Sequence, residues 1–173
     1  FAPGTEVSSQ ETTGTINVSY DWTADVMTYA SASRGFKGGG FNLERTAAVV
    51  TAFDPTVAGD PSFDGETATS YELGVRSTLL DGRVTLNATA FHTRFDDFQI
   101  LNFSGLQFFI YNVDEVTTQG VELEGVYRAT ENLTLSGGAT YLAAEYGEDN
   151  EPIPGLPLLP GNELTAAPEL TLT

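Results

Sequence analysis

His92 is the single imidazole in the chain, and there is no cysteine. A Ser-His-Asp relay therefore lacks a convincing set of partners, and a two-histidine metal site is impossible. A thiol nucleophile, a Cys-ligated zinc and a disulfide scaffold are excluded outright. Gly38-Gly39-Gly40, directly after Lys37, has the small residues of a phosphate cradle. The nucleotide signatures need GxxxxGK followed by Ser or Thr, or GxGxxG between a strand and a helix, and no helical pattern follows here. The run fits a flexible exit from a strand into a loop. Arg34 and Lys37 beside it could hold an anionic group. Acids cluster at Asp96-Asp97, Asp114-Glu115 and Glu148-Asp149-Asn150-Glu151. Such carboxylates serve acid/base chemistry, bind calcium or stand solvated on loops; no EF-hand spacing is present. No nucleophile–base pair or metal set emerges, so no catalytic residue, metal site or cofactor is expected. Phe41, Phe53, Phe63, Phe103, Phe108, Phe109 and Tyr111 all fall in expected loops. Aromatics on long loops suit ligand contact, or pack the loops against one another; both readings stand.

The composition narrows the class of partner. The 173 residues suit one domain or a piece of a larger one. Seven Lys+Arg against 24 Asp+Glu give a formal charge of -17, the wrong sign for a nucleic-acid binder. Aromatics make up 11% and charged residues only 18%, which argues against disorder despite that charge. No apolar run is long enough for a membrane-spanning helix, and neither a signal peptide nor a polybasic anchor is visible at the N-terminus.

The elements that must position these residues read at period two. Ile16, Val18, Tyr20 and Trp22 alternate with polar residues in Gly14 to Trp22. Tyr71, Leu73 and Val75 do so in Ser70 to Leu79; Val121, Leu123 and Tyr127 in Gln119 to Arg128; Leu133, Leu135 and Tyr141 in Leu133 to Glu145. Each is a strand with one apolar and one polar face. Val26 to Phe36 and Arg83 to Phe98 are less regular strands, the second moving its bulk to Phe91, Phe95 and Phe98. A partial seventh strand starts near Leu164. Connections alternate in length. Thr23 to Asp25, the hairpin signal Asp81-Gly82, and Thr130 to Asn132 are short. Lys37 to Gly65 and Gly147 to Glu163 are long, and Gln99 to Asn112 is of medium length. Short turns thus lie at one end of an all-β antiparallel meander of six to seven strands, and long loops at the other.

A transmembrane β-barrel produces that asymmetry: tilted strands of about ten residues, apolar side out, short turns on one side and long loops on the other. Tyr20 and Trp22 near the first turn, Tyr127 near the last, and Phe36 and Tyr146 on the loop side sit where interfacial aromatics would. A soluble β-sandwich, serving as a surface-binding or adhesion module, also alternates apolar and polar residues. The two differ in whether Leu73, Val75, Val121, Leu123, Leu133 and Leu135 face lipid or a second sheet.

Four motifs resemble the TonB-dependent outer-membrane receptors of Gram-negative bacteria. Met27-Thr28-Tyr29-Ala30-Ser31 through Arg34-Gly35-Phe36-Lys37-Gly38-Gly39-Gly40-Phe41-Asn42 is similar to their strand-to-loop signature. Tyr71-Glu72-Leu73-Gly74-Val75-Arg76 resembles the next strand, and Leu86 to Phe91 with Phe95-Asp96-Asp97-Phe98-Gln99 the one after. Asn112-Val113, then Thr118-Gln119-Gly120-Val121-Glu122-Leu123-Glu124, completes the order. The resemblance implies an incomplete portion (1–173) of a large barrel that imports a scarce nutrient, above all a ferric siderophore. It implies outer-membrane lipid, that large ligand and, through a plug, the TonB complex as partners. No TonB box, plug or terminal aromatic residue is recognised, so the chain reads as a fragment from the middle or later barrel. In that setting Arg34 and Lys37 could meet lipopolysaccharide phosphates or an anionic ligand. Glu72, Glu122 and Glu124, with Arg76 and Arg128, would form a hydrated lumen network.

Overall fold

The computed structural model describes residues 8–42, 62–103, 108–150 and 161–173. Nine strands are present there: β1 (Gly14–Thr23), β2 (Val26–Lys37), β3 (Gly40–Phe41), β4 (Ser62–Phe63), β5 (Glu66–Leu79), β6 (Val84–Phe103), β7 (Phe108–Arg128), β8 (Thr134–Tyr146) and β9 (Leu170–Leu172). Seven form one antiparallel sheet in the order β1-β2-β5-β6-β7-β8-β9, while β3 and β4 pair as a separate two-stranded ledge.

Register explains why the sequence alternates. Val18, Ala30, Leu73, Ala90, Val121, Tyr141 and Leu170 stand directly opposite one another across all seven strands. One residue along, the opposed set is Ser19, Tyr29, Gly74, Thr89, Glu122, Thr140 and Thr171. A one-residue slip of any strand would exchange these two faces, so the apolar pattern fixes the pairing. The apolar face is uncovered: Ile16 is 72% exposed, Val18 65%, Leu73 63% and Leu135 54%. Val121, Leu123 and Leu133 are exposed as well, and Val75 is half-buried. A sandwich would seal these side chains against a second sheet, so that alternative is overturned. The sheet is an open section of a barrel wall whose outer side is built for lipid.

The short turns form as the residues demand. Asp81 (φ 53°) and Gly82 (φ 80°) both occupy the left-handed region, and the Arg83 N–H donates to the Leu80 carbonyl at 3.1 Å. Leu80 (φ 52°) occupies that region as well, and pairing stops at Leu79↔Val84, so the connection is a four-residue turn, longer than the two-residue hairpin expected from Asp81-Gly82. At the first turn Trp22 packs edge-on against Tyr20, with ring centroids 4.8 Å apart. Near the last, Arg83 lies over the Tyr127 ring at 6.0 Å.

Several expectations need correction at the loop end. Gln99 to Asn112 is not a loop: β6 and β7 continue paired to Phe103↔Phe108. Its apolar and polar residues do not alternate cleanly, because beyond the membrane neither face is purely lipid or purely water. Tyr146 is not interfacial; it is buried with Val113 and Val116, and Phe95, Phe98, Ile100 and Leu164 pack around them. The seventh strand is shorter than expected, three residues long. Chain near Leu164 instead docks through a Leu164 N–H bond to the Ala144 carbonyl at 2.8 Å. Arg76 forms no ion pair with the lumen acids among the described residues; its guanidinium sits 5.4 Å from the Tyr29 ring centroid.

Candidate functional site

A transmembrane β-strand needs about nine to eleven residues. Counted from the short turn at Val84, the lipid-crossing part of β6 ends near Thr93. The paired hairpin then rises a further ten residues to Phe103. This projection, with the β3–β4 ledge beside it, is where loop-borne candidates converge.

The change of environment is marked in the backbone. Asp97 has φ 55°, and ladder pairing passes from Asp96↔Glu115 to Phe98↔Val113. In an undisturbed strand Phe95 and Phe98 would point to opposite faces. Here their rings meet edge-on at 5.5 Å in the same small core. Partial desolvation, then the neighbouring Asp64, Asp114 and Asp96 charges, raise the carboxyl of Asp97 from its ordinary value although the residue is exposed.

Three asparagine carboxamides join the rim, each acting as a short stretch of strand. Asn42 donates from Nδ2 to the Ile110 carbonyl at 2.9 Å and accepts the Ile110 N–H on Oδ1 at 2.8 Å. Asn150 does the same to Glu115, at 2.8 Å in both directions. Asn112 accepts the Asp64 N–H at 2.8 Å and donates to the carbonyls of Asp64 at 3.1 Å and Asp97 at 2.8 Å. Gln99, itself buried, donates from Nε2 to the carbonyls of Gly38 and Asp64, both at 3.0 Å. Its backbone N–H donates to Glu66 Oε2 at 2.8 Å. β8 pairs with β7 only from Val116↔Tyr146 onward. Ile110 therefore lies where β7 has lost that neighbour, and Asn42 satisfies backbone groups a missing strand would take, whereas Asn150 closes the end of the pairing at Glu115, whose carbonyl also accepts the Gly147 N–H at 3.0 Å.

The glycine run has a steric reason beyond flexibility. A Cβ at Gly39 would sit 2.5 Å from the Phe63 carbonyl oxygen, and one at Gly40 2.8 Å from the Phe63 ring. Only glycine lets β3 close against β4.

The candidates separate by position. Phe103 and Phe108 are directly paired at the hairpin tip, with ring centroids 4.9 Å apart and each 56% exposed. Phe109 is buried and Tyr111 half-buried, their rings 6.3 Å apart. Phe41 and Phe63 are half-buried on the ledge, and Phe53 lies outside the described residues. Arg34 falls on the outer, lipid-side register with Thr69 and Arg94, and pairs with Glu11 at 3.1 Å. Lys37 belongs to the opposite face, 3.9 Å from Glu66. His92 is on the outer face, opposite Tyr71 and Gln119. Of the acidic pairs, Asp96 and Glu115 both hold Arg94 at 2.9 Å. Among the described residues no group of three or more His, Cys, Asp or Glu could hold a metal ion. The inner face carries a hollow of about 430 Å³ lined by Tyr29, Glu72, Arg76, Phe91 and Glu122, among others. Gln99, Asn42, Asn112 and Asn150 were missed as joining residues. Asn42 and Asn112 stand inside recognisable motifs, but nothing in one sequence says which backbone a carboxamide will meet.

Residues 2–173 match the family model described as TonB dependent receptor-like, beta-barrel. The metal-pseudopaline receptor CntO of Pseudomonas aeruginosa is 34% identical over 160 residues, covering 89% of this chain and 20% of that protein. The pesticin receptor of Yersinia pestis is 28% identical over 138 residues, 80% of this chain and 19% of that one. The crystal structure of the ferric yersiniabactin uptake receptor FyuA from Yersinia pestis superposes with TM-score 0.70 at 25% identity, over 92% of this chain and 22% of that one. The chain thus spans about a fifth of the length of the curated relatives it matches.

Proposed function

We propose that this chain, which belongs to the TonB-dependent receptor β-barrel family, supplies wall and outer rim to an energy-coupled receptor for a scarce metal chelate, most specifically a ferric siderophore. Its relatives are outer-membrane proteins of Gram-negative bacteria, and the uncovered apolar face belongs in that membrane. The observation that carries the reading is the Phe103–Phe108 pair, held in solvent about ten residues beyond the lipid-crossing part of β6. Exposed aromatic rings cost solvation and are concentrated where a partner covers them. The relatives named for metal-pseudopaline and ferric yersiniabactin support a chelate as that partner. In this reading Arg34 stands by lipid headgroups, Lys37 and Glu66 brace the ledge, and Phe41, Phe63, Phe109 and Tyr111 shape the rim. The rest of the barrel and a plug filling it would couple the lumen face to the TonB complex.

The test is uptake of radiolabelled iron as ferric yersiniabactin, and of metal-pseudopaline, by iron-starved cells that depend on the full-length receptor. TonB-dependent uptake of one chelate is expected. Replacing Phe103 and Phe108 by Ala should weaken its binding about tenfold or more, as for two anchoring aromatics. Absence of TonB-dependent uptake of any metal chelate would overturn the proposal.

A further inference from the structure

We infer that Asn42, Asn112 and Asn150 are positioning residues that make the recognition rim one mechanical body centred on β7. The inference rests on the reading of the rim as a ligand surface and adds how that surface is held. Asn42 ends the β3 side of the ledge, and Asn150 follows the end of β8. They approach β7 from different parts of the chain, yet both close two-point pairs with its backbone, at Ile110 and Glu115. Asn112, between those positions, reaches back to Asp64 of the ledge. The ledge is thus attached to β7 twice, in opposite senses: its own side chain on β7's backbone, and β7's side chain on its backbone, while Gln99 of β6 also holds the Asp64 carbonyl. Opening either attachment transfers its load to the other and to the Gln99 contacts. The carboxamide is essential because each pair needs a donor and an acceptor on one planar group. A carboxylate keeps the acceptor but sets a negative oxygen against a carbonyl. A protonated carboxyl again offers one donor and one acceptor and restores the pair.

That chemistry gives a test in the full-length receptor in outer-membrane vesicles, with Asn42→Asp and Asn42→Leu. Backbone amide exchange at Ile110, Asp64 and Glu115 is read as a ratio to the unsubstituted receptor, and affinity for ferric yersiniabactin is measured on the same samples. At neutral pH both variants should exchange faster at Ile110 by about tenfold or more, Asn42→Leu through two lost hydrogen bonds and Asn42→Asp through one lost bond and the repulsion that replaces it. Asp64 should follow although Asn112 is intact, and affinity should fall in parallel. At about pH 3, where an ordinary Asp carboxyl is largely protonated, Asn42→Asp should return toward a ratio of one while Asn42→Leu does not. Faster exchange at Ile110 with Asp64 unmoved makes the attachments independent tethers and overturns the inference. Unchanged affinity alongside coupled exchange also overturns it, because the rim then does not position the contacts. If the unsubstituted receptor fails to bind this probe, the cargo reading is what fails, and exchange at Asp64 alone decides the inference.

Discussion

Two glycines on the inner face do what no other residue could. Gly74 lies opposite Tyr29, and a Cβ there would run into the tyrosine ring; the phenol instead lies across the bare backbone and bonds Thr89 Oγ1 at 3.0 Å. Gly120 lies opposite Phe91, and a Cβ there would meet both that ring, at 2.8 Å, and the Tyr141 carbonyl oxygen. Aromatic rings covering glycines on a neighbouring strand pin register where polar side chains specify it weakly. The two sites differ in what must give way. At Gly74 the obstacle is the ring of a side chain, whereas at Gly120 it includes backbone. Gly74→Ala in the full-length receptor should therefore cost about 1–3 kcal/mol, the usual range for overpacking. Gly120→Ala should cost more. Removing the obstacle discriminates: Tyr29→Ala should recover part of the loss in Gly74→Ala, while Phe91→Ala should not rescue Gly120→Ala. Unfolding midpoints of the refolded receptors measure this, and equal rescue at both sites would contradict the geometric argument.

The β6–β7 hairpin changes character along its length, and Asp97 marks the place. Its carboxyl lies beyond the lipid-crossing part of β6 and is raised from its ordinary value by partial desolvation and by Asp64, Asp114 and Asp96. A group that binds its proton more tightly in the closed rim stabilises that rim at low pH. The stability is full below the ordinary carboxylate value and is lost as pH rises through Asp97's raised value. Amide protection of Phe98 to Phe103 and of Phe108 to Val113, corrected for intrinsic exchange, should therefore rise as the medium is acidified from neutrality. Asn tolerates a left-handed backbone as Asp does. Asp97→Asn should consequently be protected already at neutral pH and respond less to acid; an unchanged profile would exclude Asp97 as the source. The same residue shows where sequence reading stopped. Up to Phe95 the period of two sufficed, because one face met hydrocarbon and the other water. Beyond it, pairing continues, but Phe98 and Ile100 turn into the rim core while Leu101 and Phe103 stand exposed, so apolar residues fall on both faces and the pattern no longer reports a strand. The lower turns were legible because Asp81-Gly82 satisfies its φ requirement locally. The carboxamide attachments were not, since Asn42 and Ile110 are brought together only by the ledge crossing to the hairpin. The glycine run was legible as a break but not as a close approach, because the obstructing Phe63 is more than twenty residues away in the chain.

At the scale of the whole molecule, what makes the fold intelligible is a solvent that changes along the strand. Among the described residues the apolar face has no protein layer over it, and it would be untenable in water, where patches of a few hundred Å² already signal a partner. β1 and β9 have free edges in the described sheet, so backbone groups there also need neighbours. Expressed alone in water, the chain should aggregate or require detergent; a sharp, reversible unfolding transition of a soluble monomer would contradict this reading. The decisive measurement uses the absence of cysteine from these 173 residues, which leaves single labels unambiguous within them. Fluorophores at Val18→Cys, Leu73→Cys and Val121→Cys should be quenched when the full-length receptor, its other cysteines removed, sits in bilayers of brominated lipid. Labels at Glu72→Cys and Glu122→Cys, one residue along from Leu73 and Val121, should stay bright because they face the lumen. A charge tests the same alternation energetically. Leu73→Arg should cost about 2–4 kcal/mol near the bilayer midplane, whereas Glu72→Arg should alter the lumen with little effect on insertion. Quenching that failed to alternate between neighbouring residues would mean that this wall does not meet lipid on its apolar side. The register of all seven strands would then have no physical cause.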